Sequence, residues 1–358
     1  MTTLFFLLGL AALVSGAELL VRGAGRLAGS MGISPLVVGL TVVAFGTSAP
    51  EIAVSVSAVM AGNTDLSIGN VVGSNIFNVL FILGVSALIA PLVVNAQIIR
   101  QEIPILIGAS VLLFVLTLDG TLGSMESALL LALLVVYTIF LIVESRRESK
   151  QTQDEYAREN QKTSAWDSRL SVQLLLIAAG LALLVLGSEW LVDSAVIFAK
   201  ALGVSDVVIG LTIVAAGTSM PEVATSVMAA IKGERDIAVG NVVGSSTFNI
   251  LGCLGLAGLV SAQGLPMPTS VMNFDLWVML ATAIACVPVF LTGREIARWE
   301  GAIFLAYYVA YAAYLILAAQ DHAHLAAYST AMLSFVIPIT IVTFVAVMLR
   351  KPASAIKS

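Results

Sequence analysis

Charged side chains are scarce in this chain: only 11% of its 358 residues are Asp, Glu, Lys or Arg, against about 25% in soluble domains. Long polar segments are also missing outside the stretch at 145–168. These two absences exclude a soluble globular protein. Because 59% of the residues are hydrophobic, the composition indicates an integral membrane protein. The expected partner is the lipid bilayer, with no nucleic acid and no obligate protein partner.

Cysteine and histidine are nearly absent, with two residues of each. Cys253 and Cys286 fall in apolar stretches, where the sequence predicts packing residues rather than a disulfide or a metal pair. The two histidines lie two residues apart in "DHAH" at 321–324, which favours a polar loop over a metal site. We therefore expect neither residue type to build a metal site.

Apolar stretches of about 20 residues, the length that crosses a bilayer as a helix, recur along the whole chain. The first lacks the basic segment of a signal peptide, so we interpret it as a retained helix. Eleven such spans, numbered 1 to 11 from here on, cover roughly residues 3–27, 34–60, 67–90, 98–118, 122–144, 169–199, 205–231, 237–261, 271–292, 298–319 and 329–349.

An internal duplication relates the two halves of the chain. Residues 39–84 align with 210–255 without a gap, at an offset of 171, and 27 of the 46 positions are identical. An internal repeat of this kind determines how the whole architecture is interpreted. It predicts a first repeat at 1–145, a linker at 146–168 and a second repeat at 169–320. An extra C-terminal helix with a tail follows at 321–358.

The two repeats are predicted to be inverted relative to each other in the membrane. Each holds five spans, an odd number, so corresponding spans run in opposite directions. Lys and Arg favour the cytoplasmic side. With the N-terminus outside and the linker and C-terminus in the cytoplasm, only Lys200 of the 17 basic residues lies outside. The predicted fold is an all-α polytopic membrane protein, a ten-helix core of two inverted five-helix repeats plus one extra C-terminal helix.

The motif "GTSAPE" at 46–51 recurs as "GTSMPE" at 217–222. Pro50 and Pro221 each remove a backbone donor and clash with the preceding turn, so spans 2 and 7 are predicted to break there. Broken backbone at this depth is tolerated only inside the protein or beside a cavity. We expect it to free carbonyls at 44–47 and 215–218. Neighbouring hydroxyls complete an all-oxygen cluster, and they belong to Thr47, Ser48, Thr218 and Ser219.

One carboxylate accompanies each break. A glutamate at mid-bilayer costs about 2.5–3.5 kcal/mol on insertion scales, and two that share a site repel each other. We interpret Glu51 and Glu222 as facing one another with a cation between them. Two bidentate carboxylates and two carbonyls supply about six oxygens, which suits Ca²⁺ better than Mg²⁺. The alternative, a protonated or hydrogen-bonded pair that only holds helices together, leaves the duplicated Pro, Thr and Ser unexplained.

A second duplicated motif reads "GNVVGSNIFN" at 69–78 and "GNVVGSSTFN" at 240–249. Its glycines allow close helix packing, but packing does not explain polar residues in the middle of a span. We predict that Asn78 and Asn249 bind the ion. Asn70 and Asn241 are weaker candidates, because bracing the helices would also account for them. One turn before Asn78 and Asn249 lie Ser74 and Ser245.

Together the two motifs resemble those of the cation/calcium exchanger superfamily, in particular its prokaryotic sodium/calcium exchanger-like branch. The resemblance covers both repeats and, more loosely, residues 1 to about 320. It implies a secondary active transporter rather than an enzyme, with Ca²⁺ and Na⁺ as the transported ions, in a prokaryotic inner membrane. It also implies that spans 1 and 6 slide over a fixed core during transport.

Carried over by position, the resemblance assigns roles to particular residues. Glu51 and Glu222 would be the central calcium ligands, with the backbone carbonyls of Thr47 and Thr218. Asn78 and Asn249 would occupy the central polar positions. Flanking sodium sites would combine the carbonyls of Ala44 and Ala215 with four hydroxyls, which belong to Ser48, Ser74, Ser219 and Ser245.

Three other functions remain as alternatives. Related proton/calcium exchangers typically have Gly-Asn in place of Gly-Thr-Ser before the acid, so the motif favours sodium coupling. Proton/calcium exchange, or another cation in place of Ca²⁺, is the first alternative. Some relatives, potassium-dependent ones among them, carry Asp where this chain has Asn249, and this departure argues against potassium co-transport. A cation channel would conduct without a counter-ion, and an intramembrane hydrolase would need a nucleophile motif that the sequence lacks.

Overall fold

The computed structural model describes residues 1–147, 169–203, 215–320 and 322–349, together with residues 209 and 213. Within these residues, nine helices are long and apolar enough to cross a membrane, and one bent pair of helices makes a tenth. Most of the first half of span 7 and nearly all of the predicted linker lie outside the described part. The chain is an all-α polytopic membrane protein, as its sequence predicted.

Within the described residues, the spans fall where the hydrophobic pattern placed them, because each long apolar run becomes one helix or a short series of consecutive helices. Spans 1 to 5 are Thr2–Met31, Pro35–Thr47 with Ala49–Met60, Thr64–Ile89, Ile98–Leu116 and Ser124–Arg147. Spans 6 to 10 are Leu170–Ala201, Ala215–Gly217 with Met220–Lys232, Arg235–Val260, Val271–Leu291 and Arg298–Ala319. Span 11 comprises Leu325–Ala331, Met332–Val336 and Ile337–Leu349.

Spans 1 and 6 pack against each other through glycines. A Cβ built on Gly9 would lie 2.9 Å from the Gly187 carbonyl oxygen, and one on Gly16 would lie 2.8 Å from the Gly180 carbonyl oxygen. Residue numbers rise along one helix as they fall along the other, so the two helices run antiparallel. This is the relation that corresponding spans of inverted repeats require. The absence of side chains at the contact lets the two backbones approach closely.

Spans 2 and 7 are interrupted at the predicted place. Span 2 bends by 40° between its two helices, and Ser48 leaves the helical conformation there with φ −81° and ψ 2°. Ser219 has nearly the same backbone, with φ −88° and ψ 8°. The proline that follows lies in the first turn of the new helix. A backbone N–H at that position would have no acceptor within the helix, so the helix tolerates its absence. Each repeat therefore starts a new helix N-terminus inside a span.

Spans 3 and 8 form the centre of the bundle. The most apolar stretch of span 3 is 72% buried and that of span 8 is 89% buried, while no other single-helix span exceeds 39%. Both helices widen into a π-helical turn at corresponding positions, Asn78–Ile82 and Asn249–Cys253. Such turns are rare and often lie at functional sites. The two asparagines predicted as ion ligands each begin one.

In span 8, the glycines of the second motif allow close packing against span 2. A Cβ on Gly244 would lie 2.8 Å from the Leu40 carbonyl oxygen, and one on Gly240 would lie 3.0 Å from that of Leu36, so span 8 packs closely against span 2. Gly69 and Gly73 are the counterparts of Gly240 and Gly244 at the offset of 171. The counterparts of Leu36 and Leu40 are residues 207 and 211 of span 7, which lie outside the described part.

Two short antiparallel ladders depart from the purely helical prediction. Strand β1 (Leu92–Val93) pairs with β4 (Glu295–Ile296), and β2 (Thr121–Leu122) pairs with β3 (Leu265–Pro266). Each ladder joins a loop of the first repeat to a loop of the second. Two-residue strands carry no periodic pattern that the sequence could reveal. In each pair, the predicted topology places the two loops on the same membrane face.

Span 11 lies at the edge of the bundle. In Leu325–Ala331 and Met332–Val336 no residue is buried. Its polar contacts with span 10 include a hydrogen bond from the Tyr328 hydroxyl to the Ala310 carbonyl at 2.8 Å. The Tyr307 hydroxyl of span 10 lies 2.7 Å from the Thr340 hydroxyl and donates to the Val336 carbonyl at 3.4 Å. A peripheral position agrees with its lack of a counterpart in the duplication.

Candidate functional site

The two predicted acids occupy equivalent places at the helix breaks. Glu51 is the third residue of the helix Ala49–Met60, and Glu222 is the third residue of Met220–Lys232. Both side chains have no exposed surface. The first turn of a helix presents unpaired backbone N–H groups and the positive end of the helix dipole. The break therefore gives each buried carboxylate a favourable field that an uninterrupted helix would not supply.

Each carboxylate accepts a hydrogen bond from the other repeat. The Ser48 hydroxyl donates to Glu222 Oε1 at 3.2 Å, and the Ser219 hydroxyl donates to Glu51 Oε1 at 2.9 Å. Ser48 and Ser219 are counterparts at the offset of 171, as are the two glutamates. The exchange brings the two breaks, far apart in the chain, to one place in the molecule. Neither repeat completes this arrangement alone.

Asn70 and Asn241 each form hydrogen bonds to both interrupted helices. The Asn70 amide donates to the Glu51 carbonyl at 3.4 Å and to Ser55 Oγ at 3.0 Å, and its Oδ1 accepts from the Thr218 hydroxyl at 3.2 Å. Asn70 therefore uses both ends of its amide to join spans 2, 3 and 7, which fits the bracing role that its sequence position left open.

The second repeat contains the same arrangement. The Asn241 amide donates to the Glu222 carbonyl at 3.4 Å and to Ser226 Oγ at 2.9 Å, and its Oδ1 accepts from the Thr47 hydroxyl at 3.0 Å. Every bond has a counterpart 171 residues away.

Ser74 and Ser245 complete the polar cluster. The Ser219 hydroxyl lies 3.2 Å from Ser74 Oγ, and the Thr47 hydroxyl lies 3.4 Å from Ser245 Oγ. Both serines are buried. The structure thus brings together nearly all the side chains that the sequence singled out, on the two breaks and the two central spans.

The Ala44 carbonyl is less free than the sequence suggested. It still accepts the Ser48 backbone N–H at 3.0 Å, and the Thr47 and Ser245 hydroxyls lie 3.3 and 3.4 Å from it. In a helix a carbonyl bonds the N–H four residues later, so the carbonyl that Pro50 deprives of a donor is that of Gly46. Ala44 nevertheless faces the polar cluster. Its counterpart Ala215 opens the short helix Ala215–Gly217.

Several buried polar atoms of the predicted site residues lack a hydrogen-bond partner among the described residues. They include one carboxylate oxygen of each acid, Glu51 Oε2 and Glu222 Oε2, both amide atoms of Asn78, and the amide nitrogen of Asn249. A buried polar group without a partner costs about 1–3 kcal/mol. Oxygen atoms that remain unpaired beside two carboxylates form a donor set suited to a hard cation.

The donor set is not that of a transition-metal centre. Within the part of the chain that the structure describes, no group of three or more His, Cys, Asp or Glu residues is placed to hold a metal ion together. Two carboxylates among hydroxyls, amides and carbonyls match alkali and alkaline-earth ions, which take oxygen ligands.

Some neighbours of the site were missed by reasoning from sequence. Ser55 and Ser226 accept hydrogen bonds from the two bracing asparagines. They are identical residues at the offset of 171, so the duplication itself could have revealed them. Cys253, expected only to pack, donates its thiol to Asn249 Oδ1 at 3.4 Å. It is buried and free, as is Cys286. Ser188 of span 6, whose hydroxyl reaches the break of span 7, gave no signal because its counterpart is Ala17.

The chain also matches known proteins over most of its length. A family model described as sodium/calcium exchanger protein matches residues 1–143 and 172–317. The inner membrane protein YrbG of Escherichia coli (strain K12) is 37% identical over 261 residues, which are 73% of this chain and 80% of that protein. The sodium/calcium exchanger MaX1 of Methanosarcina acetivorans is 34% identical over 343 residues, with 86% and 96% covered.

A solved structure of the sodium-calcium exchanger NCX_Mj, soaked with Na⁺ and Ca²⁺, matches with a TM-score of 0.73. It is 32% identical, and the match covers 86% of this chain and 96% of that one. The sequence match, the shared fold and the two motifs that meet at one buried cluster agree. This multi-pass membrane protein belongs to the sodium/calcium exchanger family.

Proposed function

We propose that the protein is a secondary active transporter that exchanges Ca²⁺ for Na⁺ by alternating access around Glu51 and Glu222. The observation that carries the proposal is the reciprocal pairing at the breaks. Each carboxylate has one oxygen held by a serine of the other repeat and a second oxygen that is unpaired among the described residues. Two such oxygens in one buried cluster suit a shared divalent cation.

The proposed ligands divide by ion. Ca²⁺ takes roughly six to eight oxygens, and the two carboxylates with the Thr47 and Thr218 carbonyls supply about six. Flanking Na⁺ sites would use the Ala44 and Ala215 carbonyls with the hydroxyls of the breaks and of spans 3 and 8. Asn78 and Asn249 would contribute amide oxygens at the centre. The hydroxyls are those of Ser48, Ser74, Ser219 and Ser245.

The charge of the site explains why such a protein exchanges ions instead of leaking them. With both glutamates ionised the empty site carries a charge of about −2, and enclosing that charge in a low dielectric is costly. One Ca²⁺ neutralises it, and two or three Na⁺ leave a charge of 0 or +1. Only loaded forms then cross between the two access states, so the movement of Ca²⁺ is tied to that of Na⁺.

The proposed arrangement in the membrane follows from the same duplication. Residues 1–145 and 169–320 form the two inverted repeats, 146–168 the cytoplasmic linker and 321–358 the extra helix and tail. The N-terminus lies outside, and the linker and C-terminus lie in the cytoplasm of a prokaryotic cell. The antiparallel contact between spans 1 and 6 supports the inversion, and the distribution of basic residues supports the orientation.

The test is uptake of radiolabelled Ca²⁺ into proteoliposomes under sodium, proton or potassium gradients compared side by side. We expect uptake with the sodium gradient, and we expect Glu51→Gln and Glu222→Gln each to abolish it. Glu189→Gln, which removes an exposed acid of span 6, is the matched control and should transport normally. Normal uptake in either site variant would refute the site. Uptake driven by a pH gradient in sodium-free buffer would instead establish proton/calcium exchange.

A further inference from the structure

One polar contact at the break of span 7 needs a side chain that the first repeat lacks. The Ser188 hydroxyl of span 6 donates to the Gly217 carbonyl of span 7 at 2.6 Å. Both residues are buried. Ser188 takes no part in the ligand set proposed above, and it lies on a different element from the glutamates. The contact joins one of the two peripheral glycine-packed helices to the interrupted helix at the ion site.

The Gly217 carbonyl needs a donor from outside its own helix. The residue four positions later is Pro221, which has no N–H to donate. A buried carbonyl without a partner is destabilising. Ser188 supplies the missing donor, so its hydroxyl compensates for the proline-induced break rather than adding a bond to a satisfied group.

The first repeat has the same break but not the same donor. Gly46 and Pro50 correspond to Gly217 and Pro221, while the residue that corresponds to Ser188 is Ala17. An alanine side chain cannot donate a hydrogen bond. The two repeats therefore differ in chemistry at a place where the surrounding "GTSxPE" motif is duplicated.

The two repeats also differ in how their breaks rest on spans 1 and 6. A Cβ on Gly217 would lie 2.8 Å from Val192 Cγ2, and a Cβ on Gly46 would lie 2.7 Å from both methyl carbons of Leu181. Val192 and Leu181 are not counterparts, since the offset of 171 relates Val192 to Val21. The structure thus holds spans 1 and 6 in an asymmetric position relative to the two breaks.

Inverted repeats generate the opposite access state by exchanging the conformations of the two halves. In that state Gly46 would rest on Val21 and Ala17, and Gly217 would leave Ser188. We propose that Ser188 is a positioning residue whose hydrogen bond forms in one access state only and biases the transporter toward that state. This inference rests on the alternating access proposed above. A buried hydrogen bond of ordinary net strength corresponds to a bias of roughly five-fold.

The experiment measures the populations of the two states directly. Spin labels on the full-length protein at Leu202→Cys, at the end of span 6, and Val260→Cys, at the end of span 8, report a distance between the sliding helices and the core. Both positions are exposed, while the two native cysteines are buried. We expect Ser188→Ala to change the population ratio about five-fold, and Ser188→Thr, which keeps the hydroxyl, to restore it.

Two further variants separate a state-selective bond from a structural one. Ala17→Ser supplies the missing donor to the first repeat, so we expect it to shift the populations in the same direction as Ser188→Ala. Ser194→Ala, which removes another buried serine of span 6, should leave the populations unchanged. An unchanged ratio in Ser188→Ala, or a shift of the opposite sign in Ala17→Ser, overturns the proposal. The distance measurement needs no transport, so sodium-driven uptake by the unmutated protein tests the proposed function separately.

Discussion

At the scale of single residues, each repeat donates a serine hydroxyl to the carboxylate of the other repeat. Ser48 lies three residues before Glu51 but donates to Glu222, and Ser219 donates to Glu51. When the carboxylate is ionised, a hydrogen bond of this kind is stronger than one between neutral groups. The two bonds fix the direction of each carboxylate, and its second oxygen, which is unpaired among the described residues, keeps both lone pairs for an ion.

The reciprocal serines yield a prediction about affinity. We expect Ser48→Ala and Ser219→Ala each to weaken Ca²⁺ binding about ten-fold, because a hydrogen bond to a charged group contributes about 1.5–3 kcal/mol. The measurement is the Ca²⁺ concentration for half-maximal uptake. Ser110→Ala is the control, since the Ser110 hydroxyl donates to the Leu106 carbonyl of its own helix. Loss of affinity in only one of the two variants would contradict the symmetric site.

The bracing asparagines yield a prediction about stability. Asn241→Ala removes the bonds to the Glu222 carbonyl and to Ser226, and leaves the Thr47 hydroxyl without one acceptor. We expect a loss of about 2 kcal/mol, from the usual cost of unpaired buried groups, measured as a lower melting temperature in detergent. Asn63→Ala, at an exposed loop position, should melt like the unmutated protein. An unchanged melting temperature for Asn241→Ala would show that the brace contributes nothing.

At the scale of helices, the contact between spans 1 and 6 depends on the absence of side chains. Gly16 and Gly180 face each other so closely that a Cβ on Gly180 would lie 2.7 Å from the Leu20 backbone nitrogen. Backbone on both sides leaves no flexible group to move aside. The pair is thereby suited to move as one rigid unit over the core formed by the central spans.

Substitution of these glycines tests the helix pair. Gly180→Val should separate spans 1 and 6 at a cost of at least about 1–3 kcal/mol, the usual range for overpacking, and should abolish uptake. Gly108→Val is the control, because a Cβ on Gly108 of span 4 has nothing within 4 Å among the described residues. Melting temperature and sodium-driven Ca²⁺ uptake are measured together. Normal values for Gly180→Val would refute the close-packed pair.

At the scale of the whole molecule, ten spans surround the site and the eleventh stands apart. The family model ends at residue 317, and span 11 touches the rest of the bundle through spans 9 and 10. The site draws on spans 2, 3, 7 and 8, with span 6 in contact through Ser188. The extra helix therefore has no part in the arrangement that carries the proposed transport.

A truncation checks this division. We expect a chain that ends at Gln320 to retain sodium-driven Ca²⁺ uptake within about two-fold of the full-length rate per molecule. The physical reason is that no residue of 325–336 is buried, so this segment is not part of the core of the bundle. Uptake is compared at equal amounts of monodisperse protein. A complete loss of transport by monodisperse truncated protein would assign span 11 a role in the mechanism.

The sequence by itself determined the spans, the duplication and the position of both breaks. The length of the apolar stretches, the duplicated motifs and the missing N–H of Pro50 and Pro221 can all be read from the sequence without tertiary context. Only the tertiary structure decided which serine meets which glutamate, that Asn70 and Asn241 act as braces, and that Ser188 reaches Gly217. Those pairings join residues 15 to 194 positions apart. The packing of whole helices, rather than any local preference, determines which distant side chains meet.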